Sequence, residues 1–192
     1  MTVAPSRGVH YTYEEYRAFE NGSPEKHEYI AGEICAMAGG TPAHAAFPLT
    51  VSALLRPQLR RGCRMFTSDL RVRIPQADLA TYPDLTIICG DPQLASDDKV
   101  AITNPIVLVE VTSNSTEHYD RGKKIEDYKT IDSLREVLIV SHREPRLTVH
   151  RRMTDGAWTV IEARSGDNVT LESVSATLDV DDVYSDHFEE FS

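Results

Sequence analysis

The sequence predicts a mixed α/β chain, and three observations carry the prediction. Short apolar runs of strand length recur at LTIIC (85–89), IVLVEV (106–111) and VLIV (137–140), rich in the β-branched residues of buried strands. Segments with helix-start signals precede and separate these runs. At 192 residues, 41% of them hydrophobic, the chain can fill a substantial core. No repeat or low-complexity linker divides it, so a single domain over 1–192 is expected.

Thr12 and Glu15 have the T-x-x-E spacing of a capping box, which predicts a helix from about Tyr13 to Glu20, stopped at Asn21-Gly22. The segment KHEYIAGEICAM (26–37) predicts two short strands turning at Ala31-Gly32, with Glu28 and Glu33 on either side of the turn. Thr41-Pro42 is a helix start, and Leu49, Val51, Leu54, Leu55 and Leu59 offer an apolar face up to Gly62. Pro48 and Pro57 are expected to bend or interrupt that helix. Strands are predicted at about Arg64 to Ile74, Leu85 to Cys89 and Pro105 to Thr112, with a polar loop over 90–104. Ser115-Thr116 predicts the cap of a helix that turns Ile125, Tyr128 and Ile131 inward. After a strand at Val137 to Val140, LTVHRRMTDGAWTVIEA (147–163) reads as a hairpin around Asp155-Gly156. A further strand pair and an acidic end complete the chain.

A net charge of −10, if evenly spread, would repel a nucleic-acid backbone. It is uneven: arginines gather at Arg56, Arg60, Arg61, Arg64, Arg71 and Arg73, and again at Arg143, Arg146, Arg151 and Arg152. These neighbourhoods read either as solvated faces or as phosphate contacts, with Arg71 and Arg73 the candidates for binding nucleic acid. Cys35, Cys63 and Cys89 are odd in number and widely separated, with neither a C-x-x-C pair nor an even framework, which fits a reducing cytosol. No apolar stretch approaches the roughly 18 residues of a membrane span, and no signal peptide opens the chain. A soluble cytoplasmic protein is the expectation.

Glu110 interrupts an otherwise apolar strand, and Asp84 begins another, so pairing of the two strands would set two carboxylates side by side. Such acids repel unless a cation or proton intervenes, so removing either one should stabilise the metal-free protein. Mg²⁺ or Mn²⁺ suits a pair of this kind, because Mg²⁺ takes one or two carboxylates and keeps positions for water and phosphate oxygens. Each acid alone also reads as a solvent-facing strand end. Asp120, Lys124 and Tyr128 are spaced i, i+4, i+8 and share one helix face, which places a lysine within reach of the acids. Asp120 and Lys124 read equally as a simple surface ion pair. Gly122 falls inside this expected helix, where it costs about 1 kcal/mol relative to alanine, and a close backbone or ligand would account for it.

The order EYIAGEICAMAGG (28–40), SDLRVRI (68–74), YPDLTIICG (82–90), IVLVEVTSNST (106–116) and YDRGKKIEDY (119–128) resembles the Uma-two family of restriction-endonuclease-like proteins, within the PD-(D/E)XK nuclease superfamily. The resemblance covers roughly Tyr11 to Arg152. It implies a restriction-endonuclease-like mixed central sheet flanked by helices, with a core over about 11–152 and a C-terminal β extension over about 153–192. It also implies metal-dependent endonuclease activity on nucleic acid, DNA above all, and a homodimer. Asp84 matches the acid of the PD motif and Glu110 that of the (D/E)XK motif, both as metal ligands and catalytic residues. Two residues on stands Thr112, so the motif's lysine is missing there and Lys124 matches its relocated position on the helix. Asp120 and Tyr128 would support Lys124, while Glu28, Glu33 and His44 match family positions of less defined role. Lys123, about 100° away on the helix, should face elsewhere.

Two further classes stay open at the level of sequence. One is a non-cleaving nucleic-acid-binding or regulatory module that keeps the fold, which the negative net charge and the relocated lysine favour. The other is a serine hydrolase using Ser113 or Ser115 with His118, although G-x-S-x-G is absent. No close Cys/His pair supports zinc.

Overall fold

The structure is a computed structural model that describes residues 9–37, 41–113 and 122–185. Helix α1 (Tyr13–Glu20) opens on the expected capping box: Thr12 Oγ1 accepts the Glu15 N–H at 3.2 Å, and the Glu15 carboxylate accepts the Thr12 N–H at 2.7 Å. Strands β1 (His27–Ile30) and β2 (Glu33–Ala36) turn through Ala31 at φ 47° and Gly32 at φ 92°, the left-handed pair that a two-residue hairpin requires. Helix α2 (Pro42–Leu55) is capped by Thr41 and continues through Pro48. Pro48 has no N–H to offer the His44 carbonyl four residues back, but Phe47, Val51 and Leu55 are wholly buried and hold the helix down. Leu49 is 69% exposed, which corrects its assignment to the apolar face.

Six strands form the main sheet in the order β11-β10-β9-β8-β6-β3. They are β3 (Cys63–Thr67), β6 (Leu85–Cys89), β8 (Val107–Val111), β9 (Glu136–Val140), β10 (Arg146–Arg152) and β11 (Trp158–Arg164). β3, β6 and β8 make an antiparallel meander, whereas β8 and β9 run parallel and are joined across helix α3 (Lys123–Lys129). A second sheet, β2-β1-β5-β4-β7, includes β4 (Arg71–Ile74), β5 (Leu79–Thr81) and β7 (Ala101–Ile102). The single strand expected over Arg64 to Ile74 is therefore two, split at a turn closed by Leu70 N–H to Thr67 O, and each half enters a different sheet. The 90–104 loop also contributes β7.

Two cores flank the main sheet. On one side Val107, Val109 and Val111 pack with Phe47, Val51 and Leu55 of α2. The same core takes in Val169, Leu171, Ala176 and Leu178 of the hairpin β12 (Asn168–Leu171) and β13 (Ala176–Asp179), and Val180, Val183 and Tyr184 of helix α4 (Val180–Tyr184). The expected C-terminal extension is thus built into the core. On the other side Leu108, Val137 and Ile139 meet Ile125 and Tyr128 of α3 and Val72, Ile74 and Leu79 of the second sheet. Glu110 shares the strand face of Leu108 and so points between the two sheets.

Two expectations are corrected by burial and pairing. Cys63 and Cys89 are ladder partners in β3 and β6, with Cα atoms 3.9 Å apart, and form a disulfide. Disulfides are rare in the cytosol, so cysteine usage no longer supports cytoplasmic placement. Arg71 and Arg73 are each only 6% exposed. Arg71 pairs with Asp98 at 2.7 Å and donates to Tyr82, while Arg73 pairs with Asp78 and Asp97 and stacks 3.8 Å from the Tyr13 ring centroid. Both guanidiniums face internal carboxylates, which favours a structural role over the phosphate contact expected of them.

Burial opposes ionisation of Asp98, but hydrogen bonds from Tyr13, the Val100 N–H and Arg71 outweigh it and hold the carboxyl below the ordinary carboxylate range. A depressed folded-state pKa stabilises above the unfolded value of about 3.9, and the contribution is lost as pH falls through the lower folded value. The stability difference between wild type and Asp98→Asn should therefore shrink on acidification below about pH 4. Thermal unfolding across a pH series checks this, and a gap constant with pH would contradict it.

Candidate active site

The centre of the site is a buried ion triplet between the two sheets. Lys124 Nζ lies 3.1 Å from Glu110 Oε1 and 3.1 Å from Glu28 Oε1, with all three side chains at most 13% exposed. Each comes from a different element: β8 carries Glu110, β1 carries Glu28 and α3 carries Lys124. Strand alternation explains Glu28, because Tyr29 faces α1 while Glu28 and Ile30 face the main sheet. The Tyr128 hydroxyl, one helical turn beyond Lys124, donates to Glu110 Oε1, and the Thr81 hydroxyl donates to Glu28 Oε1. Burial, reinforced by the Glu110 charge, holds the Tyr128 phenol well above its ordinary pKa despite Lys124 nearby, so it stays a donor.

Asp84 sits one residue before β6. Extending the ladder from Leu85 opposite Val109 sets Asp84 opposite Glu110, the neighbouring-strand arrangement expected from sequence. Its Oδ2 accepts the Val111 N–H at 2.7 Å and lies 3.9 Å from His44 Nε2. His44 Nε2 is also 3.0 Å from the Val111 carbonyl. A carbonyl can only accept, so this nitrogen carries the proton. Asp84 and His44 together clamp the last residue of β8, immediately after Glu110.

Glu33 lies on the same hairpin face as Glu28 and Cys35 but is itself exposed at the end of β2, outside the triplet. Burial, with the charges of Glu33 and Glu28 added, holds the Cys35 thiol above its ordinary pKa. Lys123 faces away, exposed and paired with Asp127 at 2.9 Å. Gly122 is the N-cap of α3 and not an interior residue, so the helical penalty assigned to it does not arise. Asp120, Ser115, Thr116 and His118 lie outside the described residues.

The absence of lysine at Thr112 has a structural counterpart. Thr112 is fully buried, its Oγ1 accepts the His142 N–H at 3.1 Å and lies 2.8 Å from His142 Nδ1. Arg143 Nε donates to His142 Nε2 at 3.4 Å, so the other ring nitrogen holds the proton and donates to Thr112. The position two beyond Glu110 is thus occupied by a strand-tying network, while α3 delivers the ammonium from across the inter-sheet gap. Thr81, His142 and Arg143 had no signal in motif spacing, since their roles arise from contacts between distant segments.

Asp84 and Glu110 form an oxygen-only pair, which fits a hard cation that keeps several waters. Among the described residues no group of three or more His, Cys, Asp or Glu side chains is placed to hold a metal ion.

Residues 13–181 match Uma2, described as "Putative restriction endonuclease". The chain belongs to the Uma2 family. The match extends past Arg152, in keeping with a core that includes β12, β13 and α4. Two relatives from Synechocystis are "Uncharacterized protein slr1290", 35% identical over 89% of this chain and 90% of the relative, and "Uncharacterized protein sll1609", 32% identical over 90% and 96%. A crystal structure from Anabaena variabilis, titled as a putative nuclease belonging to DUF820, superposes with a TM-score of 0.68 at 19% identity over 90% of this chain and 96% of that one. That likeness establishes the restriction-endonuclease-like fold, and Uma2 membership supports a nuclease-like function. Among the described residues no helix is long and apolar enough to cross a membrane.

Proposed function

We propose that this Uma2 chain is a metal-dependent endonuclease that hydrolyses phosphodiester bonds, with DNA as the substrate. The observation that carries the reading is the buried Glu110, placed opposite Asp84 on the adjoining strand and ion-paired with Lys124. An apolar strand bears the cost of a buried carboxylate where the strand must deliver it to a fixed point. The family's description as restriction endonucleases supports DNA over other phosphodiesters.

Hydrolysis joins a water oxygen to phosphorus, breaks the opposite P–O ester bond and returns a proton to the leaving oxygen. Asp84 and Glu110 would hold Mg²⁺ or Mn²⁺, which when bound supplies Lewis-acid polarisation and a coordinated water of lowered pKa. Lys124 provides a positive charge beside Glu110, set to orient the water or to stabilise charge developing on the phosphoryl oxygens. Tyr128 and Glu28 fix that machinery in place, Tyr128 by holding Glu110 Oε1 and Glu28 by holding the ammonium. His44 keeps the end of β8 in register with Asp84.

Calorimetric titration with Mn²⁺ tests the ligand pair. Asp84→Asn retains an oxygen for the Val111 N–H and removes the charge, so the folded variant should bind Mn²⁺ more weakly than wild type. Unchanged affinity in folded Asp84→Asn and Glu110→Gln would exclude these residues as the metal ligands.

A further inference from the structure

Ladder parity determines which backbone groups of β11 point away from the main sheet. Ser141 N–H donates to Arg146 O at 3.1 Å and Arg152 N–H to Arg135 O at 2.8 Å, so alternate residues of β10 from Arg146 to Arg152 bond towards β9. The residues between them, Leu147, Val149 and Arg151, bond to Ala163, Ile161 and Thr159 of β11. Trp158, Val160, Glu162 and Arg164 consequently direct their N–H and C=O groups outward. Arg164 is closed within its own chain, giving its N–H to Asp167 Oδ2 at 3.0 Å and accepting the Asp167 N–H at 2.8 Å. The outward groups of Trp158, Val160 and Glu162 have no backbone or side-chain partner among the described residues.

We infer that this edge is a docking surface for a second copy of the same chain, paired antiparallel about a two-fold axis at Val160. In that register Val160 faces Val160 of the second copy, and each Trp158 faces the other copy's Glu162. Every outward N–H of the three residues then meets an outward C=O, and the two main sheets become one. A slip of one residue would oppose outward groups to groups already used inside the sheet.

The side chains match the same register. Val160, 56% exposed in the single chain, is covered by its own counterpart. Glu162 approaches Trp158 of the second copy, beside whose ring lie the Arg152 guanidinium, 4.9 Å from the centroid, and the Lys129 ammonium at 5.9 Å. Opposite charges are thereby brought together at both ends of the ladder. On the other face Thr159 meets Ile161, a β-branched pair that suits a sheet. Between Trp158 and Glu162 the strand has no proline, glycine or lysine, the residues that commonly blunt an open edge. A two-fold pairing also closes on itself and does not propagate into a filament. The pairing stands apart from the catalytic reading, and either can fail alone.

Sedimentation equilibrium on the full chain tests it, with Val160→Glu and Val160→Lys placing like charges across the axis. Wild type should sediment as two copies and each variant alone as one. An equimolar mixture of the two variants should return to two copies, because opposite charges then face each other. Val160→Pro removes only an outward N–H and should also give a single copy, with wild-type circular dichroism. A wild type of one copy, variants that remain paired, or a mixture that stays single would each overturn the proposal.

Discussion

Replacing Lys124 with alanine is expected to slow phosphodiester cleavage by about 10²-fold or more, the scale of losing one preorganised charge stabiliser. Lys123→Ala should stay near the wild-type rate, because Lys123 is exposed and paired with Asp127 on another face of α3. Metal affinity separates this effect from a damaged ligand set. The Lys124 ammonium contacts Glu110 Oε1, the carboxylate that would also hold the cation, so Mn²⁺ binding by Lys124→Ala should be maintained or strengthened. Single-turnover rates and calorimetry on both variants check the pair of expectations. Equal rates for the two variants at wild-type metal affinity would remove Lys124 from the mechanism.

Glu110→Ala is expected to destabilise the metal-free protein by about 3 kcal/mol, the lower end of the range for breaking a buried ion pair. Glu28 continues to hold the ammonium, which is why the lower end applies, but Tyr128 loses the acceptor of its buried hydroxyl. Two neighbouring acids taken alone give the opposite sign, since without metal they should repel and removal of one should stabilise. The triplet reverses it: Lys124 already compensates the charge that was taken to be unbalanced. Urea unfolding in the presence of chelator decides between the two, and a variant as stable as wild type, or more so, would show that the ion pair contributes nothing.

Features with a local cause were legible in the sequence. The capping box at Thr12, the Ala31-Gly32 and Asp155-Gly156 turns and the limits of β6 each follow from residues within a few positions of one another. The site was legible in part, because Asp84, Glu110, Lys124 and Tyr128 lie in short motifs whose strand and helix periods fix their faces. What could not be read was pairing across long separations. Arg71 and Arg73 resemble surface cations until Asp78, Asp97 and Asp98 fold over them. Cys63 and Cys89, separated by 26 positions, become neighbours only through the register of β3 on β6. Pro48 marked a helix break by propensity, and the burial of Phe47, Val51 and Leu55 overrode it. Glu28 was reached through family resemblance alone, since no spacing rule connects it to Lys124.

The central claim, that Asp84, Glu110 and Lys124 form one metal-dependent hydrolytic site, is tested most directly by nicking of supercoiled DNA with Mn²⁺, comparing wild type with folded Asp84→Asn. Wild type should give nicked and linear product, none in chelator, and the variant should lose product. Equal cleavage by wild type and Asp84→Asn would contradict it, and metal binding by wild type without cleavage of duplex, single-stranded or branched substrates would assign the fold to a non-cleaving module.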